Sequence, residues 1–336
     1  MMQPSIPSPL SFRILRLLAD GEFRSGEALA RQLKVSRTTV WKALQGLDSW
    51  GVTVFRVNGR GYRLVTPIDW LDAAAVHQHI GACASHFQVE VVDLASSTNT
   101  ILLNEALAGA PKGLVVAAEL QTQGRGRRGR TWYTGLGGAL TFSLLWRFEQ
   151  GVGNLGGLSL AAGLALLRTL RELGAQDVAL KWPNDVLWRH QKLAGLLTEI
   201  EGDVMGPSAA VIGIGVNVQL QPHIRERIDQ AVTDLATSGL AVSRNLLLGR
   251  LLAHLARVLE SFEAHGFGAL REEWESAHAL NDRMVSVSLP GQQDEVGLAA
   301  GVGDDGALLV RTASGLRRFY SGDVSVRPTQ RMQRHA

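Results

Sequence analysis

Residues 121–132 read QTQGRGRRGRTW, and Gly124, Gly126 and Gly129 alternate there with Arg125, Arg127, Arg128 and Arg130. Glycine at this density loses too much backbone freedom on ordering to sustain a helix or a strand. The segment must therefore be a loop, and it divides the middle of the chain into elements before and after it. Its arginines repel one another until an anion arrives. A flexible cationic loop whose backbone can be approached closely suits a nucleotide phosphate or an adenylate. The glycines also fit G-x-G-x-x-G, but that dinucleotide fingerprint needs a helix directly behind it. Here TWYTGLGG follows at 131–138, with three more glycines, so the fingerprint is rejected.

At 336 residues the chain is long enough for two or three domains, and 46% hydrophobic against 19% charged residues fits globular units with real cores. The longest apolar run, 158–167, is interrupted by Ser159 and Gly163 and is too short to span a membrane. No secretory signal pattern opens the sequence, and Cys83 stands alone, which excludes an intrachain disulfide and a cysteine-rich metal site. A cytoplasmic location is the resulting expectation. The net charge of +3 is unevenly placed, with +6 in residues 1–66 and −3 in the remainder. A small basic front end on a mildly acidic body points to a polyanionic partner for the front end.

Local patterns in that front end predict helices over 11–19, 25–33 and 36–50. Ile14, Leu17 and Leu18 have helical spacing, and Ser25 and Ser36 are placed to cap the second and third helices. The stripe Val40, Ala43, Leu44 and Leu47 faces inward. Residues 52–57 alternate, and Asn58-Gly59 signals a two-residue hairpin turn. Three helices and a hairpin make a winged helix-turn-helix. Ser36, Arg37, Thr38, Thr39 and Lys42 then lie at the start of the third helix, where base edges are read, and Arg60 lies on the wing.

Thr66-Pro67 marks a boundary, and a mixed α/β body follows over 67–277. A strand at 89–94 runs into Ser97, Thr98 and Asn99, which read as helix-capping residues or as polar groups for a small head group. An apolar strand at 113–119 feeds the arginine loop. A strand at 139–146 and a buried helix at 156–173 come next. The strand at 178–182 ends in KWPND, placing Lys181 and Asp185 on either side of a turn. Lysine can neutralise phosphate, and aspartate can hold Mg²⁺ with phosphates. KLAG at 192–195 opens another strand. In 209–220, Gly213 and Gly215 lie on one face, which weakens the strand unless something approaches its backbone, and Asn217 shares that face. Helices are expected over 243–265 and 269–279. Four short strands over 284–320 form a small β-barrel within 278–327, and the polar residues 328–336 read as a disordered tail.

These residues together resemble the bifunctional biotin protein ligases that also repress biotin operons. The resemblance spans nearly the whole chain. It rests on GEFRSGEALARQLKVSRTTVWK, SSTN, QGRGRRGR, KWPND, KLAG and IGIGVN in the family's order. It implies an α+β multidomain fold: an N-terminal winged helix-turn-helix, a central mixed α/β domain related to lipoate ligases and a C-terminal SH3-like β-barrel. It implies formation of biotinyl-5′-AMP from biotin and ATP with Mg²⁺, and transfer of biotin to a lysine of the biotin carboxyl carrier protein of acetyl-CoA carboxylase. By resemblance Ser97, Thr98, Asn99, Gln121, Arg125, Gly126, Arg127 and Lys192 contact biotin. Arg125, Arg127, Arg130, Trp132, Lys181, Asp185 and Asn217 contact ATP or the adenylate. Lys192, Arg127 and Lys181 are then the catalytic cations, and Asp185 with Asn217 the candidate Mg²⁺ ligands. The family's adenylate orders the loop, promotes a homodimer and so drives operator binding. The alternatives are a ligase with a vestigial winged helix, a lipoate or octanoate ligase, and a ligand-sensing transcription factor without ligase activity.

Overall fold

Serine hydroxyls start each helix of the front end. The computed structural model describes residues 6–289, 291–322 and 324–329, and α1 (Pro9–Leu17) begins in it at Ser8. The Ser8 hydroxyl accepts the Ser11 N–H at 3.2 Å and the Ser11 hydroxyl accepts the Ser8 N–H at 3.1 Å, a closed capping box. This cap and Pro9 start the helix earlier than its apolar spacing suggests. Ser25 caps α2 (Gly26–Leu33), and Ser36 caps α3 (Arg37–Ala43). The third helix is shorter than its stripe predicts. Gly46 adopts a left-handed conformation at φ 74°, and a separate 3₁₀ turn, Leu47–Trp50, carries Leu47 into the core. The hairpin of β1 (Val54–Val57) and β2 (Gly61–Leu64) closes on three residues rather than two, because Val57 pairs with Gly61. A Cβ on Gly61 would lie 2.1 Å from the Arg24 carbonyl oxygen, so this close approach sets where the second strand starts.

The body contains α4 (Ala73–Ile80), β3 (Gln88–Ala95), α5 (Thr98–Leu107), β4 (Leu114–Gln121), β5 (Ala139–Phe148), α6 (Leu158–Glu172), β6 (Val178–Lys181), β7 (Asp185–Trp188), β8 (Gln191–Gly202), β9 (Ser208–Asn217), α7 (Pro222–Arg225), α8 (Arg244–His265) and α9 (Gly268–Ser276). Among the described residues its strands form one sheet in the order β3-β4-β5-β9-β8-β7-β6, parallel only between β3 and β4. Strand alternation sorts the side chains. Leu140, Phe142, Leu144, Ala210, Ile212 and Ile214 join the large core under α4, α6 and α8. Leu145, Ala209 and Val211 face the other way, toward Leu102 of α5.

The C-terminal unit comprises β10 (Met284–Ser288), β11 (Glu295–Val302), β12 (Leu308–Thr312), β13 (Gly315–Phe319) and β14 (Ser325–Pro328), in the antiparallel order β13-β12-β11-β10-β14. The fifth strand, β14, was not anticipated, because four residues ending in proline carry no readable alternation. It corrects the expected tail: Pro328 pairs with Val285, and the Thr329 N–H donates to the Met284 carbonyl at 3.0 Å. Residues 330–336, also expected to be disordered, lie outside the described residues.

His278 sits at the seam between this unit and the body, bridged in parallel to Leu180 and stacked on Trp274 at 4.7 Å. Both ring nitrogens are buried without hydrogen-bond partners among the described residues. Burial lowers its pKa from 6.5 to about 4. The unfolded chain therefore takes up a proton below pH 6.5 that the folded chain refuses. Stability should fall as pH drops from 6.5 to 4, by up to roughly 3 kcal/mol. Urea unfolding across this range should be steeper in pH for the unaltered chain than for His278→Leu. Equal slopes would place the acid sensitivity elsewhere.

Candidate active site

The same alternation that buries Phe142 leaves Thr141 and Ser143 on the face shared with α5, beside Gly213 and Gly215 of β9. Thr141 pairs with Gly215 and Ser143 with Gly213. This end of the face is small and polar, so the sheet forms the floor of a cleft of about 710 Å³ rather than more core. The two glycines are explained by close approach. A Cβ on Gly213 would lie 2.0 Å from Asn99 Oδ1, and one on Gly215 would lie 2.4 Å from the Trp132 ring.

Ser97, Thr98 and Asn99 stand at the β3–α5 junction and are buried. Ser97 occupies the N-cap position, yet its side chain makes no capping hydrogen bond. Thr98 instead donates through its N–H to Gln121 Oε1 at 2.7 Å, and its hydroxyl lies 2.7 Å from the Ser143 hydroxyl. Ser143 donates to Asn99 Oδ1 at 2.5 Å, and Asn99 Nδ2 donates to Glu199 Oε2 at 2.7 Å. Thr98, Asn99 and Gln121, joined through Ser143, are thus one hydrogen-bonded group, not separate caps.

The arginine loop crosses the cleft. Its only regular piece is a 3₁₀ turn, Arg127–Gly129, with Arg128 left-handed at φ 58°, and the next element after it is the strand β5. Arg125 is bidentate on Glu199, at 3.0 and 2.7 Å. Arg127 donates to Asn184 Oδ1 at 3.2 Å and to the carbonyls of Ser321 and of Gly322 (2.5 Å) in the C-terminal unit. The loop is thereby tied both to the body and to the last sheet. KWPND forms the β6–β7 hairpin, with Lys181 paired to Asp185 across it. Trp182 is buried and donates from Nε1 to the Gly306 carbonyl at 3.0 Å, a second tie to the C-terminal unit.

Lys192 Nζ lies 2.7 Å from Asp185 Oδ1 and 5.8 Å from the centre of the Trp132 ring. Lys181 also faces this point. Burial lowers its pKa; Asp185 opposes that shift, and the charges of Lys192, Arg327 and Arg130 add to it. Three further cations therefore bear on Lys181, an arrangement that favours an anion in the cleft. Asn217 is buried, and its Nδ2 donates to the Thr233 carbonyl at 3.0 Å. Its amide nitrogen thus serves to hold the 231–233 segment beside Lys192, whose N–H donates to Ala231 O.

Every expected ligand and catalytic residue lines this one cleft: Ser97–Asn99, Gln121, the loop arginines Arg125, Arg127 and Arg130 with Gly126, Trp132, Lys181, Asp185, Lys192 and Asn217. Sequence reasoning missed Ser143, Asn184 and Glu199, as well as Arg327 from β14. Ser143 had a signal, a polar residue two positions from Thr141 in an apolar strand. Glu199 and Arg327 had none.

Among the described residues, none of the winged helix lines the cleft. Ser36, Arg37, Thr38, Thr39 and Lys42 are all exposed at the start of α3, although Ser36 and Thr39 are engaged in the cap, with hydroxyls 2.8 Å apart. Trp41 is exposed on the same helix. Arg60 is held over the Phe23 ring at 4.2 Å.

Comparison with known proteins agrees with this layout. Residues 91–217 match the biotin/lipoate A/B protein ligase family, residues 11–63 an HTH domain and residues 282–327 the biotin protein ligase C-terminal domain. The bifunctional ligase/repressor BirA of Salmonella typhimurium is 37% identical over 317 residues, covering 94% of this chain and 97% of that protein. BirA of Escherichia coli K12 is 35% identical, covering 95% and 98%. Among solved structures, the biotin protein ligase from Aquifex aeolicus in complex with biotin and ATP superposes with a TM-score of 0.59 at 27% identity, over 72% of this chain and 99% of that one. With this identity carried across nearly the whole of both chains, and a helix-turn-helix, a ligase core and a ligase C-terminal domain in that order, the chain belongs to the BirA family of bifunctional ligase/repressors.

Proposed function

We propose that this chain activates biotin with ATP and transfers it to a lysine of a biotin carboxyl carrier protein. The observation that carries this reading is the convergence of the buried polar group Thr98, Asn99 and Gln121 with Lys181, Lys192 and the arginine loop in one cleft. A biotin carboxylate oxygen attacks the α-phosphorus of ATP and pyrophosphate leaves. The carrier lysine amine then attacks the acyl carbon and AMP leaves. Carboxylate and triphosphate repel, so the first step needs cations that hold both reactants, most effectively where water is excluded. Lys192 and Lys181 supply that charge beside the reacting centre, and Arg125, Arg127 and Arg130 supply it from above. Asp185 offers an oxygen donor of the kind Mg²⁺ takes together with phosphates, and Asn217 retains its Oδ1 for the same role. Mg²⁺ bound there would neutralise phosphate charge.

The reading extends to the front end. The adenylate-bound chain forms a two-fold dimer in the cytoplasm, and its paired winged helices bind operator DNA of biotin genes through α3 and Arg60. Linkage then requires DNA to favour the adenylate-bound state in return. Incubating the full chain with biotin and ATP should yield biotinyl-AMP and pyrophosphate; absence of both would overturn the ligase. Binding to the promoter of the source organism's biotin genes should appear only with biotin and ATP present. No binding in either condition, with ligase activity intact, would leave the enzyme and remove the repressor.

A further inference from the structure

Glu199 is an anionic side chain that touches both the arginine loop and the head-group pocket. Its two oxygens take the Arg125 guanidinium at 3.0 and 2.7 Å, and Oε2 also accepts Asn99 Nδ2 at 2.7 Å. It comes from β8, 100 residues from Asn99 and 74 from Arg125, so the sheet alone brings these groups together. We infer that Glu199 is a positioning residue that sets the donor and acceptor directions of the biotin pocket, acting through Asn99 and Ser143, and fixes Arg125 across it. The inference rests on the biotin reading above.

A carboxylate only accepts hydrogen bonds. Asn99 must therefore turn its NH₂ toward Glu199 and its Oδ1 toward Ser143. Ser143 spends its only proton on that oxygen, at 2.5 Å, and is left as an acceptor facing the Thr98 hydroxyl at 2.7 Å. At the far end, Gln121 Oε1 receives the Thr98 N–H at 2.7 Å and the Thr98 hydroxyl lies 3.2 Å away, so the Gln121 amide is left with Nε2 as its donor. Side-chain amides have no preferred sense of their own; a neighbour with a fixed role must impose one. For Gln121 the Thr98 N–H does so; for Asn99 it is Glu199 at 2.7 Å, supported by the Leu197 carbonyl, which accepts the same NH₂ at 3.2 Å. A ureido ring carries one acceptor carbonyl between two N–H donors, so a pocket whose amides could flip would recognise it poorly. Gly213 belongs to the same device, since any side chain there would collide with Asn99 Oδ1.

Glu199→Gln keeps the shape and replaces one acceptor with a donor, which must face either Asn99 Nδ2 or Arg125. Biotin affinity, measured calorimetrically on the full chain without ATP, should fall about tenfold or more, the cost of losing a charged hydrogen-bond partner in a half-buried site. The KM for biotin should rise in parallel, by more than kcat falls, while the KM for ATP moves less than about twofold. Ser143→Ala interrupts the same chain and should weaken biotin selectively as well. The double variant should cost little more than the larger single effect, because both act through Asn99. Unchanged or tighter biotin binding by Glu199→Gln would overturn the inference, as would an equal rise in both KM values. If Glu199→Gln does not fold, unaltered biotin binding by Ser143→Ala overturns it equally. A parent chain that binds no biotin would instead overturn the biotin reading itself.

Discussion

Lys192→Ala is expected to lower biotinyl-AMP formation by a factor of about 10²–10³, the usual cost of removing one preorganised charge from a shielded site. The ammonium is well placed for this loss. Its side chain is 16% exposed, Nζ is 2.7 Å from Asp185, and the backbone on both sides is held by Ala231 and Thr233. Gly195 leaves room for it: a Cβ there would be 3.1 Å from Nζ. The substitution also deletes one of the charges that lower the Lys181 pKa, so the remaining lysine holds its proton more firmly but alone. Pyrophosphate release at saturating biotin and ATP is the measurement. Lys192→Arg should recover only part of the rate, since a planar fork does not replace a compact ammonium in this slot. A rate within threefold of the parent for Lys192→Ala would move the catalytic role to Lys181 and Arg127.

Glu119→Ala is expected to destabilise the body by about 3–5 kcal/mol, because it strands a buried guanidinium. Arg244 and Glu119 are 1% and 0% exposed and lie 2.7 Å apart. Their remaining hydrogen bonds explain what the pair does. Glu119 Oε1 accepts the Leu71 N–H at 2.7 Å, Arg244 Nε donates to the Asp69 carbonyl at 2.9 Å, and Asp69 Oδ2 accepts the Arg244 N–H at 2.6 Å. This pair clamps the segment joining the winged helix to the body, and Glu119 itself lies two residues before Gln121. The urea midpoint should drop without a change in the wing hairpin's own packing. Replacing Glu119 and Arg244 together with apolar residues of similar volume should cost far less than Glu119→Ala alone. A loss below about 1 kcal/mol for Glu119→Ala would mean that backbone carbonyls, not the carboxylate, hold Arg244 in place.

The front end and the cleft share a core. Leu120 of β4 and Leu136, just beyond the arginine loop, are buried with Phe12, Leu29 and Leu47 in the core of the winged helix. The Leu136 N–H donates to the Trp50 carbonyl at 2.8 Å. Both ends of the arginine loop are therefore anchored in the core of the winged helix.

Much of this was legible because it is local. Ser25 and Ser36 cap their helices through the next turn, and Asn58-Gly59 marks the wing within a few residues. Gly213 and Gly215 announced a close approach, since two glycines on one strand face weaken the strand unless something comes close to its backbone. The break at Gly46 was hidden, because Leu47 continues the apolar spacing while the backbone does not. β14 was hidden because four residues carry no period.

The chain order of the motifs, the caps at Ser25 and Ser36, and the loop nature of 121–132 followed from the amino-acid sequence alone, since propensity, capping and periodicity act over a few residues. Only the tertiary structure decided which partner each charge would find. Arg125 meets Glu199, Arg127 reaches the carbonyls at 321–322, and Glu119 meets Arg244 across 125 residues. These pairings depend on strand order in the sheet and on which face each side chain takes, and neither is written in any local stretch of sequence.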